Sequence, residues 1–176
     1  MSRILIELPT WLGDCVMATP SIENIVGIYP EAELTFVGSA VAIAAVKHHP
    51  RVKAIQMLDK SYLSLHRVAR SLGKFDVFIS FRSSTRSKIF GFFIPADHKY
   101  QFNKHEYSQG HQVEKYNDFV NDSLGVNTTP GQLILHLEEK GTMSYSTPTV
   151  GINPGASYGS AKRWYPEEFL VSSVQS

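Results

Sequence analysis

Short apolar runs alternate with amphipathic stretches through the first 80 residues of the chain. Four runs have the length of buried strands: Ile4–Leu8, Leu34–Gly38, Val52–Met57 and Asp76–Ser80. Between them, apolar side chains recur at helical spacing, as from Ile22 to Tyr29, before Pro30, and from Leu65 to Leu72, before Gly73. Strands that alternate with helices in this way predict an α/β fold, a Rossmann-like parallel sheet covered on both faces.

The pattern weakens beyond Phe81 but still predicts several elements. Residues 89–94 and 113–124 read as helices, and residues 98–102 and 133–135 as strands. Residues 138–148 are rich in Gly, Ser and Thr, which predicts a linker. We therefore expect a Rossmann-like domain in residues 1–137 and the beginning of a second domain in residues 149–176.

Composition narrows the class of protein. Of the 176 residues, 43% are hydrophobic and 19% charged, which is typical of a globular protein. A net charge of +1 does not favour a general nucleic-acid binder. The single cysteine, Cys15, excludes an internal disulfide framework and fits a reducing compartment, so we expect a cytoplasmic protein. No apolar run approaches the roughly 20 residues of a membrane-spanning helix.

The first candidate site is the loop Pro9–Asp14, which follows the first predicted strand. Ligands of open α/β sheets bind beyond the carboxyl ends of the strands, where this loop lies. Gly13 allows close approach of a ligand, and Asp14 stands at a helix entry, either as an N-cap or as a catalytic base. Cys15 has no basic neighbour in sequence to lower its pKa, so we interpret it as a small buried residue.

The second candidate site is basic. Arg82, Arg86 and Lys88 follow the fourth predicted strand, again at the carboxyl edge of the sheet. The guanidinium group of arginine donates paired hydrogen bonds to phosphate and carboxylate groups, which favours an anion site. The alternative is an ordinary solvated loop, since surface charges are commonly exposed to water.

The third candidate site is the segment from Gly151 to Trp164. A short apolar strand runs into a loop of small residues, and Lys162 follows before a helix signalled by Pro166. Small residues let backbone N–H groups approach an anion, so the segment predicts a phosphate-binding turn. It matches neither the P-loop nor the dinucleotide fingerprint, and the alternative is an ordinary strand–turn–helix.

Two of these segments together resemble one enzyme family. Trp11-Leu-Gly-Asp14-x-Val-Met-Ala18 and Pro154-Gly-Ala-x-x-Gly159-x-Ala-Lys-Arg-Trp164 are similar to motifs of the ADP-heptose:lipopolysaccharide heptosyltransferases, most of all the heptosyltransferase II branch. Phe81-Arg82-Ser83 and His111–Tyr116 are similar to further segments, less specifically. The resemblance runs from residue 3 to about residue 169.

The resemblance implies the fold, chemistry and partners of a GT-B glycosyltransferase. In that fold two Rossmann-like domains face each other across a cleft, the N-terminal one holding the acceptor and the C-terminal one the donor, ADP-heptose. Transfer inverts the anomeric centre without a cofactor or metal, and the acceptor is the anionic lipopolysaccharide inner core, with Kdo carboxylates and phosphates. No nucleic acid is implied, and peripheral contact with the cytoplasmic face of the inner membrane is expected.

The resemblance also assigns roles to residues. Asp14 falls on the catalytic base that deprotonates the acceptor hydroxyl. The donor diphosphate is assigned to Ser157, Gly159, Ser160 and Lys162, and the acceptor to Gly13, Arg82, Arg86 and Lys88.

The end of the chain departs from the family pattern. After Phe169 a family member continues into a long helix and a full donor domain, whereas Leu170–Ser176 does not continue the pattern. We therefore expect a truncated form that is weakly active or inactive alone. Two alternatives stay open: a non-catalytic module that binds the acceptor, and a non-functional truncation product with exposed apolar surface.

Overall fold

The structure is a computed structural model that describes residues 2–59, 61–138 and 147. The chain divides into two compact units, Met1–Glu139 and Lys140–Ser176, and the first is the one described below. The predicted donor turn, with Ser157, Gly159, Ser160 and Lys162, lies outside the described residues, as does most of the predicted linker. The boundary at residues 138–148 therefore stays a prediction.

Five parallel strands and six helices build the described part of the first unit, and five of the predicted strands are among them. The strands are β1 (Arg3–Glu7), β2 (Glu33–Gly38), β3 (Val52–Met57), β4 (Phe75–Ser80) and β5 (Ala96–Gln101). The helices are α1 (Leu12–Met17), α2 (Thr19–Ile28), α3 (Ala40–Val46), α4 (Tyr62–Ser71), α5 (Thr85–Phe93) and α6 (Gln112–Leu124). The strand order is β3-β2-β1-β4-β5, and every pair is parallel. The predicted α/β class is confirmed.

Helices cover both faces of the sheet. Ile4 and Ile6 of β1 are fully buried in a core shared with α1, α2, α3 and α6, whereas Leu5 belongs to a second core with Leu65 of α4 and Phe90 of α5. Because side chains alternate along a strand, Glu7 lies on the same face as Leu5, towards α4 and α5. A carboxylate is thereby placed at the end of a buried strand.

The predicted strand at residues 133–135 is wrong. In the structure Leu133, Ile134 and Leu135 are irregular backbone with 41–54% of their surface exposed. The backbone N–H of Ile134 donates to Thr19 Oγ1 at 3.1 Å instead of joining a ladder. An apolar triplet alone does not supply the neighbouring strand that a ladder needs.

Three titratable side chains meet where this irregular segment passes α2. His136 Nε2 lies 2.9 Å from Glu23 Oε1, and His49 Nε2 lies 3.3 Å from the same oxygen. His49 Nδ1 accepts the N–H of Arg51 at 3.1 Å, so neutral His49 carries its proton on Nε2. In that tautomer Nε2 bears a hydrogen and no lone pair for a metal, although ligand atoms of the three groups lie within 4.8 Å of one another; Nε2 is near Glu23 without forming a hydrogen bond among the described residues. Burial lowers the pKa of His49, and Glu23 opposes that effect.

Two helical glycines give opposite expectations for substitution by alanine. A Cβ on Gly91 of α5 would lie 2.8 Å from Cε1 of the buried Phe78, whereas one on Gly27 of α2 would meet nothing within 4 Å. We expect Gly91→Ala to lower the free energy of unfolding by about 1–2 kcal/mol, because overpacking exceeds the gain in helix propensity. Gly27→Ala is expected to raise it by about 0.5–1 kcal/mol. Urea unfolding followed by circular dichroism measures both, and equal effects would contradict the packing argument.

Among the described residues, no helix is long and apolar enough to cross a membrane.

Candidate active site

The order of the strands places a cleft at the centre of the sheet edge. The chain winds from β1 to β3 on one side, then returns to add β4 and β5 on the other side of β1. The loops that follow β1 and β4 therefore diverge at the carboxyl edge, where α/β sheets bind ligands. A cleft of about 240 Å³ opens there, lined by Pro9, Thr10, Trp11, Asp14, Phe81, Arg82, Ser83, Ser84, Phe102, Gln112 and Tyr116.

Asp14 lies in the first turn of α1 and its side chain faces the cleft. The N-cap of this helix is Trp11, and no side chain makes the capping hydrogen bond. The N-cap alternative for Asp14 is thus excluded, because the N-cap of the helix lies three residues earlier, at Trp11. Burial raises the pKa of the Asp14 carboxyl above its usual value. A partly buried carboxylate that caps nothing is available for chemistry in the cleft.

Contacts from α3 hold the Asp14 segment in place. Ser39 Oγ donates to Thr10 O at 3.3 Å and also accepts the N–H of Ala42, which caps α3. The buried Cys15 Sγ donates to Ala42 O at 3.4 Å. Burial raises the pKa of Cys15 to about 12, with Asp14 as a smaller cause. The thiol is therefore protonated at neutral pH, and the interpretation of Cys15 as a buried packing residue is confirmed.

A buried polar cluster lies directly beneath the cleft, and sequence reasoning missed it. Glu7 is completely buried, and its Oε2 accepts hydrogen bonds from the hydroxyls of Ser80, at 2.7 Å, and Ser87. Gln101 Nε2 donates to Ser80 Oγ at 3.2 Å and to Ser87 Oγ at 3.0 Å. Burial is the largest influence on Glu7 and raises its pKa, while the two serines and Arg82 act in the opposite direction.

Arg82 joins this buried cluster to the surface. Glu7 Oε1 accepts no hydrogen bond from the described residues, but it lies 3.5 Å from Arg82 Nη1. The contact is therefore electrostatic, and the guanidinium keeps other N–H groups for a ligand. Arg82 is 16% exposed and lines both the Asp14 cleft and a second cleft of about 270 Å³. We call these the first and second clefts.

Of the other predicted acceptor residues, Arg86 lines a cleft, whereas Gly13 and Lys88 do not. Arg86 lines the second cleft, where its Nη2 donates to the backbone carbonyls of Asp59 and Ser61. Lys88 is exposed on α5 and lies outside the linings of both clefts. Gly13 is exposed beside the first cleft without lining it, and a Cβ there would meet nothing within 4 Å. The structure thus brings Asp14, Arg82 and Arg86 to one edge and leaves Lys88 apart.

Helix α6 supplies cleft residues that no sequence motif singled out individually. Gln112 and Tyr116 lie on its first two turns and line the first cleft. Burial raises the pKa of the Tyr116 hydroxyl, and the nearby Asp14 carboxylate adds to that effect. The segment His111–Tyr116 did carry a signal, since it was one of those that resemble the heptosyltransferases.

Comparisons with known proteins identify relatives of this chain in sequence and in fold. The chain is 37% identical over 171 residues to lipooligosaccharide heptosyltransferase 2 of Campylobacter jejuni serotype O:2, a match that covers 92% of the chain and 52% of that protein. The chain therefore spans about half the length of the curated relatives it matches. A scan against models of protein families gives no match.

Two solved structures share the fold. The ADP-heptose lipopolysaccharide heptosyltransferase II of Escherichia coli has a TM-score of 0.71 at 20% identity, over 98% of this chain and 60% of that one. A glycosyl transferase of family 9 from Veillonella parvula has a TM-score of 0.66 at 21% identity, over 78% of this chain and 45% of that one. The expected likeness in sequence and fold to the heptosyltransferases is confirmed.

Proposed function

Because this chain is a relative of the lipopolysaccharide heptosyltransferases, we propose that its first unit is the acceptor-binding half of an enzyme that transfers heptose from ADP-heptose to a core heptose. The observation that carries the proposal is the position of Asp14. It is partly buried, caps nothing and faces a cleft at the point where the strand order reverses. A lipopolysaccharide acceptor and a cytoplasmic location belong to the same proposal.

In this mechanism Asp14 is the general base. Its carboxylate takes the proton of the acceptor hydroxyl as that oxygen attacks the anomeric carbon of the donor, and the bond to ADP breaks on the opposite side, which inverts the centre. A base of this kind acts best when its pKa lies nearer the working pH than that of a free aspartate. The raised pKa of Asp14 moves it in that direction.

Arg82 is proposed to bind an anionic group of the acceptor. Its guanidinium lies between the two clefts, so a phosphate or carboxylate beside a sugar in the first cleft meets it directly. Glu7 fixes the guanidinium from beneath and offsets part of its charge. Arg86 is largely committed to the carbonyls of Asp59 and Ser61, so we assign it a supporting role in the second cleft.

The donor side is proposed from the sequence motif alone. Ser157, Gly159 and Ser160 would surround the diphosphate, and Lys162 would stabilise the charge that develops on it as ADP leaves. The proposal includes no metal and no cofactor.

Trp11 provides a direct measurement of acceptor binding. Its side chain is 69% exposed and lines the first cleft, and the chain has only one other tryptophan, Trp164. In a Trp164→Phe variant, Trp11 is the only tryptophan, so its fluorescence reports binding when delipidated inner-core oligosaccharide is added. We expect saturable binding that weakens as salt concentration rises.

Replacing Arg82 by Ala in that background is expected to weaken oligosaccharide binding by about 10-fold and to reduce its salt dependence, since a charge-assisted hydrogen bond is lost. Lys88→Ala removes the same charge from an exposed site outside both clefts and serves as the matched control, with less than about a two-fold effect. Equal effects of the two substitutions would refute the role of Arg82.

A second candidate function is acceptor binding without transfer. It is favoured by one observation: Asp14 and Arg82, which we assign to the acceptor, and Tyr116 of the same cleft all lie in the first unit. A transfer assay distinguishes the two functions. In a binding module, oligosaccharide changes the fluorescence of Trp11, but no product forms from ADP-heptose.

A further inference from the structure

Helices α4 and α5 form an unusually basic face of the first unit. They lie side by side over the core that contains Leu5 and Phe90. Their sequences hold Arg67, Arg70, Arg86 and Lys88 and no acidic residue, although the whole chain has 17 basic and 16 acidic residues. With four basic and no acidic residues, these two helices carry a formal charge of +4 in a chain whose net charge is +1.

Exposed aromatic side chains lie within this basic face. Phe92 is 78% exposed and Tyr62 57%, and Ile89 and Phe93 are each more than a third exposed. The Phe93 ring packs edge-on against Phe92, at 5.4 Å between centroids, and against His66 of α4, at 5.0 Å. The aromatic residues therefore form a continuous group across both helices. We call Tyr62, His66, Arg67, Arg70, Lys88, Ile89, Phe92 and Phe93 the α4–α5 patch.

Cations lie directly beside the most exposed ring of the patch. Lys88 and Phe92 are four residues apart and share one side of α5. Lys99 Nζ donates to the carbonyls of Gly91, at 3.0 Å, and Phe92, at 3.3 Å, which places an ammonium group at the end of α5. An exposed apolar ring flanked by basic side chains is the arrangement found where proteins meet the headgroup region of a bilayer.

We propose that the α4–α5 patch docks on the surface of an anionic lipid bilayer, with Phe92 inserted among the headgroups. Charge complementarity selects this occupant. A second copy of the patch would bring like charges together, and Phe92, Phe93 and Ile89 offer a hydrocarbon phase more contact than the polar edges of nucleic-acid bases. Membrane contact through this surface is peripheral, in keeping with the absence of a membrane-spanning helix among the described residues.

The patch runs towards the candidate active site. Helix α5 begins next to Ser84, which lines the first cleft, and α4 begins at Tyr62, which lies under Arg86 of the second cleft at 5.7 Å. A bilayer held against the patch therefore lies beside two helices whose first turns border the clefts, with Phe92 near the far end of α5. This step rests on the proposed function, since it explains how a lipid-linked acceptor would reach Asp14, while the docking itself does not depend on transfer.

Co-sedimentation of the 176-residue chain with vesicles tests the proposal. Vesicles of phosphatidylcholine with about 30% phosphatidylglycerol are expected to bind the chain at least 10-fold more than pure phosphatidylcholine, and binding is expected to fall as salt screens the charges. Phe92→Ser is expected to lower binding to the anionic vesicles about 5- to 10-fold, because the apolar contact is lost. Arg70→Glu with Lys88→Glu is expected to lower it more than 10-fold.

Matched controls lie on the opposite face of the sheet. Lys47→Glu reverses one charge, half the change of the double variant, at an exposed position after α3, and Val41→Ser removes an apolar side chain that is 57% exposed. Both are expected to leave vesicle binding within two-fold. All the substituted residues are exposed, and circular dichroism confirms that each variant folds.

Three results would overturn the proposal. The first is equal binding to neutral and anionic vesicles, or binding that the patch variants do not change. The second is a dimer in sedimentation velocity that Phe92→Ser dissociates, which would identify a second copy as the occupant. The third is binding of a single-stranded oligonucleotide, but not of vesicles, that is lost in the charge-reversal variant. If oligosaccharide does not change the fluorescence of Trp11 while the chain still binds anionic vesicles, the proposed function is refuted and the docking surface is not.

Discussion

Replacing Asp14 by Asn is expected to lower the rate of heptose transfer by about 10²- to 10⁴-fold, the contribution that a general base typically makes. The amide has nearly the shape of the carboxylate but does not accept the proton of the acceptor hydroxyl. Because Asp14 neither caps α1 nor supports the core, stability should change by less than about 1 kcal/mol. Acceptor affinity, read from Trp11, should also stay within a few-fold, so the loss falls on kcat.

Because the chain spans about half the length of its relatives, transfer is tested both with the chain alone and with a full-length fusion. Transfer from ADP-heptose to delipidated core is measured with the chain itself and with a fusion in which the chain replaces the matching half of the Campylobacter relative. Asp118→Asn is the matched control, because Asp118 is an exposed carboxylate of α6 outside the linings of both clefts. Transfer by Asp14→Asn at the rate of the parent protein would refute the role of Asp14 as the base.

Replacing Glu7 by Ala is expected to lower the free energy of unfolding by about 3–5 kcal/mol, the range measured when one partner of a buried ion pair is removed. The substitution leaves the hydroxyls of Ser80 and Ser87 without their acceptor and Arg82 without its buried counter-charge. Glu7→Gln preserves the shape and one acceptor oxygen, so a much smaller loss is expected. Urea unfolding at several pH values measures both variants, and equal losses would contradict this account.

The pH dependence of the Glu7→Gln comparison has a definite sign. Burial raises the folded-state pKa of Glu7 above its ordinary value of 4.5, so the folded state holds this proton more tightly than the unfolded state. The contribution of Glu7 to stability therefore falls as pH rises from about 4.5 to the folded-state pKa, and it is constant above that value. Glutamine does not titrate, so Glu7→Gln should gain stability relative to the parent protein over the same window. The opposite slope would show that the serines and Arg82 outweigh burial.

Asp14 and Arg82 illustrate what local sequence is able to predict about a site. Each follows a strand that its apolar pattern identifies, and parallel strands end at a common edge of the sheet. The order of strands and loops is therefore enough to predict that Asp14, Arg82 and Arg86 lie at one edge. It does not predict which of them share a cleft, since Lys88 is only two residues from Arg86 and yet lines neither cleft.

Glu7 illustrates the opposite case. In sequence it is one charged residue at the end of an apolar run, and a solvated position at the strand end explains it equally well. Its burial depends on Ser87 of α5 and on Gln101 of β5, which are 80 and 94 positions away in the chain. The α4–α5 patch is similar, because the local sequence does not distinguish the exposed Phe92 from the buried Phe90, and only the packing of α5 does so.

The amino-acid sequence by itself determined the α/β class, the five strands and the residues that follow them, because strand and helix periodicity are local properties of the chain. The same local patterns were wrong for the triplet at residues 133–135, where a neighbouring strand had to be present in space, and they left open whether Asp14 caps α1. Only the tertiary structure decided that Asp14 is free of a capping role, that Glu7 is buried beneath Arg82, and that α6 completes the cleft with Tyr116. Those features depend on contacts between elements far apart in sequence, and burial, pKa and exposure are set by such contacts.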